Sequence, residues 1–201
     1  MRKILAVLLL AVGLLSGLSW QNAQAAKDEL TALAIGATAP EFTLPDADGK
    51  SHSLASLKGK KGTLIFFTSA RCPMVVAYHE RIQKIAADYK AKGINVIGIN
   101  SNTTETAAEI KQNIADKKLA YQVLRDEGSK IADQFNAQVT PEMYLLDADG
   151  KLAYHGGVDD NRSAELVKAN YLSAALDAML AGKPIERAET RAFGCTVKRA
   201  S

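Results

Sequence analysis

The chain has 201 residues, a formal net charge of +3, and hydrophobic residues at 47% of positions, enough apolar side chain for one packed core. Arg2 and Lys3 supply two of the excess positive charges, so the rest is nearly neutral. That removes the electrostatic case for a nucleic acid or an anionic membrane as partner.

Met1-Arg2-Lys3 forms a short positive start, followed by an apolar run from Ile4 to about Leu18 and by Ala23-Gln24-Ala25. Small residues at the first and third of those last positions are what a signal peptidase reads, so residues 1–25 are expected to be a cleaved secretory signal. The apolar run is shorter than the roughly 20 residues a spanning helix needs. Export, to a bacterial periplasm or beyond, is the corresponding expectation.

Residues 26–35 are a mixed lead-in. Gly36 to Leu54 reads as a hairpin: Phe42 and Leu44 alternate with polar residues, Asp46-Ala47-Asp48-Gly49-Lys50 turns, and His52 and Leu54 return. Ser56 to Lys60 is a loop or a single helical turn. Thr63 to Thr68 is a continuous β-forming run of the kind buried on both faces of a sheet. Pro73 to Lys90 follows as a helix, with Val75, Val76, His79, Ile82, Ile85, Ala86 and Tyr89 on one stripe and Gly93 as the stop. Ile94 to Ile99 is a second buried strand, which completes a parallel, right-handed crossover.

Thr104 to Lys118 reads as a helix, Tyr121 to Leu124 as a short strand, and Ser129 to Phe135 as a short helix. Glu142 to Leu146 and Leu152 to His155 are strands joined by a second Asp-Ala-Asp-Gly-Lys, at Asp147. A calcium loop needs further oxygen ligands and a late Glu that neither copy has, so both copies read as turns. Ser163 to Ala181 is the last helix, with Leu166, Leu172, Leu176, Met179 and Leu180 buried; Gly182 and Pro184 end it. The domain is expected to span 26–182, with 183–201 as a tail that carries Gly194-Cys195.

Cys72 stands between a buried strand and a helix whose first residue is Pro73, a position where the missing N–H costs nothing. A thiolate there faces unpaired N–H groups and the positive end of the helix, which lowers the thiol pKa; Arg71 alongside would lower it further. Cys195 is the only other cysteine. In an oxidising compartment it is a resolving partner for Cys72, a fixed staple for the tail, or a link to another chain. His79 lies about 10 Å along the helix from Cys72, too far for a direct base, and reads as packing. His52 and His155 read as surface groups. Nothing in the residues calls for a cofactor or a metal.

Phe66-Phe67-Thr68-Ser69-Ala70-Arg71-Cys72-Pro73 resembles the active-site strand and turn of the redoxin and peroxiredoxin-like branch of thioredoxin-like proteins. Ile35 to Leu44 is similar to that branch's G-x-x-A-P-x-F-x-L opening. Thr140-Pro141-Glu142 resembles its proline before a core strand, and Tyr154-His155-Gly156 with Asp159-Asp160 its Y-x-G…D-D segment. Gly194-Cys195-Thr196-Val197-Lys198 resembles a G-C-x-[IV]-K ending. The resemblance implies an α/β thioredoxin-like sandwich, a mixed sheet between helices, with an added N-terminal hairpin. It also implies a cis Pro141 beside Cys72, with the Thr140 backbone offered as an edge on which a substrate peptide can dock.

The departures narrow the chemistry. Val75 stands where a C-x-x-C motif has its second cysteine. Ile65 stands where peroxiredoxins have proline, although Ser69 fits their hydroxyl position. Thr68 stands where copper-delivery relatives have their first cysteine, which leaves a Cys72/His155 site one soft ligand short. The expectation is an oxidoreductase that exchanges electrons with a protein or small-molecule thiol or disulfide. Cys72 is its nucleophile, Cys195 its resolving residue, and Ser69, Arg71, Pro73, Thr140 and Pro141 support the site. A thiol-dependent peroxidase, or a non-enzymatic copper- or partner-binding module, is the alternative.

Overall fold

The computed structural model describes residues 33–199; the expected leader, 1–25, lies outside them. Strands β1 (Thr43–Pro45) and β2 (Ser51–Ser53) form the N-terminal hairpin, followed by one helical turn, α1 (Leu54–Leu57). The central sheet is built from β3 (Gly62–Thr68), β4 (Ile94–Asn100), β5 (Gln122–Arg125), β7 (Glu142–Asp147) and β8 (Leu152–Gly156). Its order is β5-β4-β3-β7-β8; the first three run parallel, and β7 and β8 are antiparallel to their neighbours. Helices α2 (Pro73–Lys90), α3 (Ala107–Lys117), α4 (Lys130–Phe135) and α5 (Tyr171–Leu180) flank it. A separate two-stranded ladder joins β6 (Val139–Thr140) to β9 (Cys195–Thr196).

Alternation along β3 divides the core. Leu64 and Phe66 pack with Tyr78, Ile82 and Ile85 of α2, Ile110 of α3 and Leu172 and Leu176 of α5. Ile65 and Phe67 face the other way, toward Phe42, Leu44, Leu54, Ile131 and Phe135. Rings of Phe67, Phe135 and Tyr144 meet edge to face there, with centroids 5.2–5.8 Å apart. The two Asp-Ala-Asp-Gly-Lys copies make the same turn. In each the first Asp carboxylate takes two backbone N–H groups, and the Gly, Gly49 or Gly150, has φ near +83° (84° and 82°), where a side chain would be strained.

The last helix begins at Tyr171, not Ser163; only Ala164–Leu166 make a short 3-10 turn before it, and Leu166 is 57% exposed. Asp160 takes the Lys168 N–H, which a helix from Ser163 would need for itself, and just upstream Arg81 donates to the carbonyls of Asn161 and Arg162. On α2 the stripe is rotated slightly, so that Tyr78 is buried and Val76 is exposed. His52 and His155 are not surface groups. His52 lies 2.8 Å from both Asp46 and Gln122, and His155 lies 2.7 Å from Glu142 and stacks on Tyr144. No helix among the described residues is long and apolar enough to cross a membrane.

Candidate active site

Cys72 is the N-cap of α2, with extended backbone (φ −73°, ψ 119°) and Pro73 at the first helical position. The run of β-branched and aromatic residues in β3 ends at Thr68, and a turn over Ser69–Arg71 delivers Cys72 to the helix start. That turn is tied internally. Ser69 Oγ accepts the N–H groups of Arg71 (3.1 Å) and Cys72 (3.0 Å) and donates its own proton to Glu105. The other Glu105 oxygen accepts from the Ala70 N–H and from Asn100 Nδ2, each at 2.7 Å. Glu105 is 8% exposed, a buried carboxylate satisfied on both oxygens.

Cys72 is 4% exposed and bonded to Cys195, with Cα atoms 6.1 Å apart and a sequence separation of 123. Cys195 is only part-buried. The Thr140–Pro141 bond is cis, and the Thr140 carbonyl oxygen lies 3.2 Å from Cys72 Sγ. In the disulfide that sulfur has no proton to give; once reduced, the thiol can donate to the carbonyl.

The Thr140 edge is occupied. Cys195 pairs with Thr140 and Thr196 with Val139, antiparallel, so the protein's own tail lies where a substrate peptide was expected. Gly194 is what lets it approach: a Cβ at that position would run into the backbone of Thr140. The tail is fastened on both sides of Cys195. Upstream, the His155 N–H donates to the Ala188 carbonyl and the Thr190 N–H to the His155 carbonyl, at 2.9 and 3.0 Å. Downstream, the Val197 N–H donates to the Gln138 carbonyl (3.0 Å), Val197 is buried in the core, and Arg199 donates to Asp133 and to the Ala137 carbonyl.

Glu142, directly after Pro141, steadies this edge from below. Its carboxylate accepts the N–H groups of Gln138 (2.7 Å) and Val139 (3.0 Å) and meets His155 at 2.7 Å. Burial alone would push its pKa up. The hydrogen bonds from His155, Val139 and Gln138 together outweigh burial and hold the carboxyl below its ordinary range.

Of the expected site residues, Cys72, Cys195, Pro73, Thr140 and Pro141 come together. Ser69 reaches Cys72 through the backbone N–H and not through the sulfur. Arg71 turns outward to Glu109, which belongs to a capping box with Thr106 at the start of α3. The Thr106 N–H, then Arg71, then the Thr106 hydroxyl hold the Glu109 carboxyl down at about 2. The sequence pattern does not single out Glu105 and Asn102, or the role of Glu142, because a polar residue beside or at the end of a strand looks like surface. The one available signal was Asn100-Ser101-Asn102, a polar run at the C-terminal end of a buried parallel strand, where α/β sheets place their chemistry. Among the described residues no group of three or more His, Cys, Asp or Glu side chains is gathered to hold a metal ion.

Known proteins resemble this chain in sequence and in fold. The Redoxin family profile matches residues 34–172. The thiol-disulfide oxidoreductase ResA of Bacillus cereus (strain ZK / E33L) is 30% identical over 146 residues, 73% of this chain and 81% of that protein. The chloroplastic peroxiredoxin Q of Suaeda salsa is 32% identical over 133 residues, 60% of this chain and 59% of that one. Among solved structures, a hypothetical protein of Sinorhizobium meliloti 1021 superposes with a TM-score of 0.79 at 33% identity, covering 85% of this chain and 97% of its own.

Proposed function

The chain belongs to the redoxin family and is an oxidoreductase of thiols and disulfides or of peroxides, and from that premise we propose that it is a thiol–disulfide oxidoreductase whose working pair is Cys72 and Cys195. The observation that carries this reading is the bonded pair itself, seated at a helix N-terminus and against the Thr140–Pro141 edge.

In the reduced protein the Cys72 thiolate is favoured by the N–H groups of the first helical turn, which have no helical carbonyl partner. It attacks a substrate disulfide, forms a mixed disulfide, and releases one substrate thiol. Cys195 then attacks Cys72 Sγ, closes the Cys72–Cys195 bond and releases the second thiol. The substrate gains two electrons and two protons, and the protein loses the same. A dithiol donor reverses the sequence. Pro73 fixes the helix start and Pro141 sets the Thr140 carbonyl beside the sulfur, while Ser69 holds the turn; Arg71 is a rim residue. Residues 26–182 form the catalytic domain and 183–201 the tail that brings the second sulfur. Export, resting on the Met1–Ala25 pattern, fits a cysteine pair that forms a disulfide, since such bonds persist in an oxidising compartment.

The peroxidase reading fits the side chains less well. Polarising a peroxide needs free donors at the sulfur, whereas the Ser69 proton is committed to Glu105 and the Arg71 guanidinium to Glu109. A copper-binding role would draw on His155, which Glu142 already holds.

The test is turnover of a disulfide substrate with a dithiol donor. Cys72→Ser should reduce it on the order of a thousandfold or more, and Cys195→Ser should accumulate the mixed disulfide on Cys72, visible by mass spectrometry. A pair with a reduction potential below about −300 mV, or turnover surviving in Cys72→Ser, would overturn the proposal.

A further inference from the structure

The loop from β4 to α3, Asn100–Glu105, touches both sulfur-bearing segments. On one side Glu105 holds the Ser69–Cys72 turn through Ser69 and the Ala70 N–H, and Asn102 Nδ2 donates to the Thr68 carbonyl at 3.2 Å. On the other side Asn102 Oδ1 accepts the Lys198 N–H at 2.9 Å. The Thr103 N–H and hydroxyl both donate to the Lys198 carbonyl, at 2.8 and 2.9 Å. Asn102 thus spans the gap with a single amide. Its nitrogen grips the strand that leads to Cys72, and its oxygen grips the residue three beyond Cys195. It is 7% exposed, and Asn100 holds its backbone N–H at 3.1 Å.

None of these bonds runs through the disulfide. We propose that Asn102, with Thr103 and Glu105, is a bracket that keeps the two thiols within bonding reach after reduction, so that this loop sets how readily the pair closes. Asn102 and Thr103 are positioning residues and touch no reacting atom. The chemistry follows from effective concentration. Two thiols on independently held segments close a disulfide in proportion to the time they spend in register, and a brace common to both segments raises that fraction. The tail therefore does not have to swing in from solution; it stays docked while the S–S bond opens and closes. This rests on the pair being exchangeable, as proposed above.

The experiment equilibrates the full chain with mixtures of reduced and oxidised dithiothreitol and counts the closed pair by maleimide gel shift. Asn102→Ala, which frees both sides of the brace, should lower the equilibrium constant for closure about tenfold, and Thr103→Val, which removes one bond at an exposed residue, about two- to threefold. Gln83→Ala loses bonds to the Lys118 carbonyl and the Ala120 N–H, far from the brace, and should leave the constant at the wild-type value. A merely structural Asn102 would lower the thermal midpoint of oxidised and reduced protein alike and leave the constant unchanged, which would overturn the proposal. Should Asn102→Ala not fold, an unchanged constant in Thr103→Val overturns it equally. A pair that opens and closes normally but supports no turnover would remove the oxidoreductase reading and leave the bracket standing.

Discussion

The segments that carry the two sulfurs are built on opposite principles. Cys72 is placed first by its own neighbours: a buried strand runs into it, Pro73 starts the helix after it, and Ser69 takes the N–H two and three residues ahead, with Glu105 and Asn102 bracing that turn from a distance. Cys195 sits in a two-residue strand in a tail whose every anchor — Thr140, Gln138, Asn102, Asp133, His155 — lies at least 30 positions away. The first sulfur has a local address and the second a borrowed one. Damage to the local segment should therefore destroy the chemistry, whereas damage to the borrowed one should separate the thiols and leave the fold intact.

The largest test of that contrast is Gly194→Val. A side chain there meets the Thr140 backbone, and overpacking of this kind costs about 1–3 kcal/mol. The tail should leave β6, and mass spectrometry under glutathione disulfide should find glutathione mixed disulfides in place of the Cys72–Cys195 bond, in a protein whose far-ultraviolet circular dichroism is that of the wild type. Next comes Glu142→Gln, which spares the tail but weakens the seat it rests on. Loss of the charged acceptor for Gln138 and Val139 should cost about 1–3 kcal/mol at neutral pH. The sign in acid follows from the depressed pKa. The carboxylate's contribution is present above the ordinary glutamate value of about 4.3 and is lost as pH falls through the lower, folded value. Thermal unfolding from pH 7 to 3 should show the wild type losing stability in that window and the variant losing less. The smallest effect is expected from Arg71→Gln. Its guanidinium faces Glu109 and not the sulfur, so the Cys72 alkylation rate in the reduced protein should match the wild type.

The same contrast explains what was legible in the sequence. β3, α2 and β4 follow from apolar runs and a 3.6-residue stripe, and α2 begins and ends at Pro73 and Lys90 as its pattern says. The cysteine at the helix start is legible for the same reason. The sequence pattern starts the last helix eight residues too early, because Ser163 to Lys168 are compatible with a helix until Asp160 claims the Lys168 N–H. Tail docking, and the burial of Glu105, Asn102 and Glu142, depend on residues far apart in the chain. No local window reports them; the cysteine count offers the pair but not what holds it together.

The tail's upstream anchor has a consequence of its own. Ala188–Thr190 runs beside β8 with Glu189 bridged in parallel to His155, and Gly156 lies so close to Thr190 that no side chain would fit between them. β8 is the last strand of the sheet on that side, and a bare outer strand is a template on which a second molecule can stack. The stretch that delivers Cys195 thus also blunts a sticky rim, so the solubility of the folded protein and the reach of its second thiol are secured by the same few residues.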